Sequence, residues 1–292
     1  MADRKEVWTI GKILDWTKQY FKEKGVDTPR LDAEVLLSHV VKCDRIHLYV
    51  NFDRPLVDEE LAEFRGMVKA RAERTPVAYI LGEKEFMGHP FRVTPDVLIP
   101  RPDTEILVEE AIRLLEGKDD ARIVDIGTGS GAILLSVLKG TTGSTGMAVD
   151  LSSAALAVAK SNAESLGVAD RADFRLGDLY EPVDGKFDMI LSNPPYIPVC
   201  DMADLAPEVK QEPEMALVGG EDGLDFYRRL IDEAPDYLTE DGIILFEVGI
   251  HQAREVAFLG ELRGFGNQRI LNDYAGIERV VILSDFGKAV EG

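Results

Sequence analysis

Asn193-Pro194-Pro195-Tyr196 is the stretch of this chain best equipped for chemistry. It follows Phe187-Asp188-Met189-Ile190-Leu191-Ser192, an apolar run that predicts a buried strand. The turn therefore falls at the carboxyl end of a strand, where open α/β sheets hold their ligands. Two prolines lack N–H groups and fix φ, so the turn is stiff and offers carbonyl oxygens with few competing donors. Asn193 adds a side-chain carbonyl and Tyr196 a flat ring. Such a turn suits a planar group carrying an NH2: two oxygens for its two hydrogens and an aromatic face alongside. Taken alone, the motif leaves open a proline-rich loop start with no chemistry.

A second constellation is Gly127-Thr128-Gly129-Ser130-Gly131, after the strand-like Arg122–Ile126 and before a helical run. Its glycines let the backbone approach a ligand closely. Asp150 ends the next predicted strand and is placed to accept from both hydroxyls of a ribose. Gly127, Gly129 and Ala132 also satisfy the dinucleotide spacing, so the loop alone does not separate a hydride carrier from another nucleoside. The Asn-Pro-Pro-Tyr turn does. It lies on the fourth strand, the expected neighbour of the first across the switch point, so loop and NH2 receptor face one crevice. S-adenosylmethionine, a nucleoside-bearing methyl donor, fits that pairing. Asp178, just after the third strand over Ala172–Leu176, could accept from an adenine amino group or be a plain loop carboxylate.

The elements that must position these residues follow from periodicity. Residues 1–75 read as helices only: Thr9–Lys24 with Ile10, Ile13, Leu14, Trp16, Tyr20 and Phe21 inward, a second helix from Thr28-Pro29 to Val41, and a third over Asp58–Arg74. Residues 76–100 predict a β-hairpin linker built from Tyr79-Ile80-Leu81, Glu85-Phe86 and Phe91-Arg92-Val93 around Gly88. From residue 101 to 292 strands and helices alternate, including one helix over Asp222–Leu238 and a strand over Ile243–Val248. That alternation predicts a doubly wound, mainly parallel sheet of seven strands.

Composition is that of an ordinary globular protein, with 45% hydrophobic and 29% charged residues. No apolar run approaches a membrane span, the start lacks a secretion signal, and a reducing cytoplasm is expected. Cys43, Cys200 and the four histidines have no metal-ligand spacing, so no metal is expected. Residues 1–75 hold 14 basic and 14 acidic residues, so the whole net charge of −20 lies beyond them. Such acidity repels a phosphate backbone, which disfavours a bare nucleic-acid substrate.

Together these motifs resemble the class I methyltransferases, and more narrowly the protein-(glutamine-N5) methyltransferases that modify peptide chain release factors. The resemblance runs through the helical N-terminal domain, Leu98-Ile99-Pro100-Arg101-Pro102-Asp103-Thr104-Glu105, the glycine loop, Asn193–Tyr196, Glu212-Pro213-Glu214-Met215-Ala216-Leu217, Gly219–Leu224 and Phe246-Glu247-Val248-Gly249. It implies S-adenosylmethionine as donor, S-adenosylhomocysteine as product, and a release factor's Gly-Gly-Gln glutamine as substrate, held partly by the helical domain. Donor contacts are implied at Gly127, Thr128, Gly129, Ser130, Gly131, Asp150, Asp178 and Asn193. Leu179 stands where relatives can carry an aromatic or charged residue against adenine. Substrate contacts are implied at Asn193, Pro194, Pro195, Tyr196 and Arg101, with Asn193, Pro194 and Tyr196 catalytic. A monomer without membrane or nucleic-acid partners is expected. The rival readings are an adenine N6-methyltransferase, which uses a similar NH2 receptor, a nicotinamide dehydrogenase, and a donor-binding protein without catalysis.

Overall fold

The computed structural model describes residues 7–288, which fall into two compact units. One runs to Gly82 and includes Pro207–Gln211; the other holds Glu83–Ala206 and the chain from Glu212 on.

The first unit is helical: α1 (Ile10–Glu23), α2 (Pro29–Val41), α3 (Arg45–Val50), α4 (Asp58–Ala72) and α5 (Val77–Leu81). In α1, Ile10, Ile13, Leu14, Thr17 and Phe21 are buried at helical spacing, and the Thr9 hydroxyl accepts from Lys12 N–H to cap the start. Trp16, expected inward, is 49% exposed. The Thr28 hydroxyl donates to Asp32 (2.7 Å) instead of capping α2. Asp32 in turn pairs with buried Arg71 at 2.7 Å, and Arg71 and Arg74 share Glu208 at 2.8 and 2.9 Å. Tyr79-Ile80-Leu81, expected as a strand, belongs to α5, which Gly82 ends in the left-handed region.

The second unit opens with a tight hairpin, β1 (Glu83–Phe86) and β2 (His89–Arg92). Met87 and Gly88 connect them with φ of 51° and 71°, the positive pair that a two-residue hairpin turn demands. Met87 N–H donates to Glu105 Oε1 at 2.7 Å, which helps hold a non-glycine residue there.

There follow α6 (Glu105–Leu114), β3 (Arg122–Ile126), α7 (Ala132–Gly140), β4 (Thr145–Asp150), α8 (Ser153–Leu166), β5 (Ala172–Leu176), β6 (Phe187–Ser192), α9 (Asp225–Glu233), β7 (Leu238–Glu247), α10 (Ala253–Arg263), β8 (Phe265–Asn272) and β9 (Glu278–Phe286). The seven-stranded sheet has the order β5-β4-β3-β6-β7-β9-β8. All neighbours pair in parallel except β9, which runs against both β7 and β8. Successive residues of the central strands feed opposite faces: Ile123, Met189 and Leu245 join one core cluster, Val124, Ile190 and Phe246 the other. Burial on both faces explains why these strands read as continuous apolar runs.

Two predicted elements differ in extent. The helix expected over 222–238 starts at Asp225 and ends at Glu233, where Pro235 removes a backbone donor and leaves a 3₁₀ turn. Strand β7 begins at Leu238, before the polar Thr239–Asp241 segment, and its pairing with β6 is irregular between Phe187 and Met189. Among the described residues no helix is long and apolar enough to cross a membrane, and no His/Cys/Asp/Glu cluster could hold a metal ion. Cys43 is half-buried and Cys200 exposed, both as free thiols.

Candidate active site

The order of the sheet reverses between β3 and β6, and there the carboxyl ends of β3, β4 and β6 open a cleft of about 250 Å³. Gly127 and Gly129 form one edge, Asp150 and Leu151 the next, Asp178 and Leu179 the far end, and Asn193, Pro194 and Pro195 the opposite side. Side chains at Gly127 and Gly129 would project into open space, at φ of 76° and 55°, so both positions leave backbone bare toward the cleft.

The loop is fixed from behind. Asp150 accepts from Gly129 N–H through Oδ2 and from Ser152 N–H through Oδ1, each at 2.8 Å. Burial pushes its pKa up, against the pull of those two N–H groups. Thr128 and Ser130 are buried; the Thr128 hydroxyl donates to Asp125 at 2.7 Å, and Gly131 begins α7 in the left-handed region. Asp125 is fully buried, and desolvation lifts its pKa to about 7 despite the Thr128 bond. Asn162, 1% exposed, accepts from Arg92 N–H at 2.7 Å and donates to the carbonyls of Arg92 (3.0 Å) and Ser130 (2.8 Å). One amide thus ties the hairpin to the glycine loop.

Asp178 reaches the cleft with its carboxylate paired to Arg229 at 2.6 Å, and Leu179 takes φ of 47°, a conformation that leucine rarely adopts.

The Asn-Pro-Pro-Tyr turn is held from below. Asn193, Pro194 and Pro195 line the cleft, whereas the ring of Tyr196 packs on the core cluster that contains Tyr227 and Phe246. Burial and the nearby Glu247 charge push the Tyr196 phenol up to about 12, opposed by Arg279 and Arg101. The Gln252 amide donates to the Tyr196 carbonyl at 3.0 Å and accepts from Gly249 N–H at 3.0 Å. Gly219 lies so close that a Cβ there would sit 2.7 Å from the Pro195 oxygen. Arg101 does not line the cleft; its guanidinium pairs with Glu212, whose other oxygen accepts from Ile99 N–H at 3.0 Å. The Pro-Arg-Pro segment is therefore buttoned to the segment that supplies Pro213 and Met215 to the cleft wall.

A glycine cradle, an acidic strand end and a rigid carbonyl-bearing turn thus share one crevice, and the chain that builds them matches known proteins. A profile of the PrmC N-terminal domain matches residues 12–82, and one of the methyltransferase small domain matches residues 103–206. The release factor glutamine methyltransferase of Geobacter sulfurreducens is 48% identical over 96% of this chain and 98% of its own length. That of Rhodopirellula baltica is 39% identical over 94% and 95%. The chain belongs to the release factor glutamine methyltransferase family.

It is accordingly an enzyme with the class I methyltransferase fold. Among solved structures, the hMettl16 catalytic domain shares that fold at a TM-score of 0.56, with 16% identity over 81% of this chain and 86% of that one. A methyltransferase from Pyrococcus furiosus matches at 0.50, with 18% identity over 79% and 100%.

Sequence reasoning missed part of the cleft of this methyltransferase. Asp96 and Val97 after the hairpin, Val218 and Phe226 line it, beside Leu98 and Met215 from segments that carry the resemblance. They are unremarkable apolar or loop residues brought in from a distance along the chain. Leu151, directly after Asp150 at the end of β4, also lines the cleft and is 60% exposed, a placement that its position at a strand end could have suggested.

Proposed function

We propose that this enzyme transfers a methyl group from S-adenosylmethionine to the side-chain N5 of the glutamine in the Gly-Gly-Gln motif of a peptide chain release factor. The observation that carries the reading is the side-by-side placement, on one cleft, of the bare glycine loop and the Asn193-Pro194 turn. The family relatives bear the release-factor glutamine name, which supports the substrate class.

The cleft fits the donor in chemistry. Gly127 and Gly129 present backbone without side chains, Asp150 offers carboxylate oxygens, and Leu151, Val97 and Phe226 supply apolar surface for a purine. Thr128, Ser130 and Gly131 would shape the loop, Asp178 and Leu179 would meet the base, and Asn193 would border the reacting methyl. When bound, the sulfonium supplies a methyl whose C–S bond breaks as the glutamine nitrogen forms its new N–C bond, the electron pair staying on sulfur as the thioether.

An amide nitrogen is a poor nucleophile because its lone pair is delocalised, so position and polarity are what this chain must supply. Asn193 Oδ1 and the Pro194 carbonyl accept the two N–H groups, drawing density onto nitrogen and fixing its direction. Pro195 keeps the turn stiff. Tyr196, whose ring packs on the core behind the turn, braces it from below, and with its phenol held at about 12 it keeps its proton. The spare proton leaves the methylated nitrogen for water. Arg101 side chain, 34% exposed beside Glu212, is the proposed contact to the release factor outside the glutamine itself.

Two carbonyls facing a carboxylate would be left unpaired, so glutamate is rejected. The same acceptors would take an adenine amino group, and the acidity of the chain beyond residue 75 speaks against a nucleic-acid substrate, as it does against a membrane surface. The test is mass spectrometry of a bacterial release factor incubated with enzyme and S-adenosylmethionine. One added methyl on the Gly-Gly-Gln glutamine is expected; an unmodified factor, with methylated adenine in a parallel DNA or RNA reaction, would overturn the reading.

A further inference from the structure

Glu247 is the last residue of β7, and the parallel ladder pairs its predecessor Phe246 with Ser192, the last residue of β6. Glu247 and Asn193 thus stand side by side where two central strands end. Glu247 is 2% exposed, a rare burial for a carboxylate. Thr104 and the Asn193 amide lie near enough to favour its charged form, while its Oε2 has no hydrogen-bond partner among the described residues. Tyr227 donates to its backbone carbonyl at 2.8 Å, which fixes the strand end without using the side chain.

A carboxamide has an oxygen end and an NH2 end, and only the oxygen end can receive a substrate N–H. Nothing in the Asn-Pro-Pro-Tyr turn itself chooses between them. An ionised carboxylate only accepts, so it takes the NH2 end and turns Oδ1 the other way. We infer that Glu247 is the positioning residue that sets the Asn193 amide, presenting its oxygen to the substrate nitrogen. This rests on the amide-methylation reading above and deepens it.

Protonation reverses the arrangement. A neutral Glu247 can donate, so it can hold the Asn193 oxygen and leave the NH2 end facing the substrate NH2. Burial lifts the Glu247 pKa to about 7, with Asp103 adding to the rise and Thr104, Arg279 and Asn193 opposing it. The other groups facing this corner are Tyr196 and Tyr227, both phenols held protonated, with Asp273 and Asp103 paired to Arg279 at 3.3 and 3.5 Å. Activity therefore depends on the ionised carboxylate and declines as pH falls through neutrality.

The test is Glu247→Gln, nearly the same shape but unable to ionise. Turnover of a release factor is followed by transfer of tritiated methyl, from about pH 5.5 to pH 9, with donor affinity read separately by calorimetry with S-adenosylhomocysteine. Expected are a kcat about tenfold lower at alkaline pH, loss of the wild-type acid limb, and little change in donor affinity or in KM for the factor. In an Asn193→Ala background the same substitution should add almost nothing, because it acts through Asn193. A variant that keeps the wild-type kcat and acid limb overturns the inference. So does one that loses donor affinity and melting temperature together, or one whose effect adds in full to Asn193→Ala. Failure of the function reading looks different: the wild-type enzyme itself would leave the factor's glutamine unmodified.

Discussion

Asn193→Ala isolates the polar half of the proposed substrate grip. The substitution removes one of two acceptors for the substrate amide, while Pro194, Pro195 and the Gly219 and Gln252 supports of the turn stay in place. A buried N–H left without its partner costs about 1–3 kcal/mol, or roughly 5–150-fold in rate. The loss should fall in kcat rather than in donor affinity, since Gly129 and Asp150 are bonded to one another and not to Asn193. On the other side of the turn Glu247 loses a donor that favours its charged form, so its carboxyl shifts further toward the protonated state. Single-turnover methyl transfer at saturating donor separates chemistry from binding, with calorimetry as the control. Unchanged single-turnover rates would refute the polarisation argument. So would a variant whose entire defect was in binding S-adenosylhomocysteine.

Asp150→Ala should act first on the donor, because it deletes the acceptor for Gly129 N–H as well as the candidate ribose contact; calorimetry showing wild-type affinity would contradict that. Gly219→Ala should collapse kcat while sparing donor binding, since the new Cβ meets the Pro195 oxygen and Tyr196 Cα at 2.7 Å, both backbone atoms that cannot swing aside. Asp125 titrates near 7 in the folded protein against 3.8 normally, so the folded state binds the proton more tightly than the unfolded chain. Its stabilising effect is complete below about pH 4 and lost as pH rises to about 7, a swing of up to about 4 kcal/mol. Asp125→Asn should flatten that part of the denaturant-stability profile, and parallel profiles would exclude the assignment.

Strands β3 and β6 were legible to the residue because runs such as Ile123–Ile126 and Met189–Leu191 bury on both faces. Helix α3 was not, since Arg45–Val50 buries only Leu48 and is too short to show a period. Tyr79-Ile80-Leu81 read as a strand on residue type alone, but the local chain is helical, with Tyr79 and Ile80 N–H both donating to the Pro76 carbonyl. The polar Thr239–Asp241 hid the start of β7 because an irregular join to β6 lets those residues face outward. At the site, the glycine loop, Asp150 and Asn193 announce themselves by type and by their place at strand ends. Glu247 stands out only as part of the Phe246–Gly249 resemblance, and the register beside Asn193 is what gives its side chain a place at the site. Phe226 and Val218 reach the cleft through tertiary packing that no local pattern encodes.

Asn162 spends both ends of one carboxamide on two distant segments, with no water-facing surplus. A carboxylate there would forfeit both donors and a hydroxyl could not span the gap, so the position admits almost no substitute. The β-hairpin is consequently an outrigger of the glycine loop: whatever loosens Arg92 is passed through Asn162 to Ser130 and to the loop proposed to hold the donor.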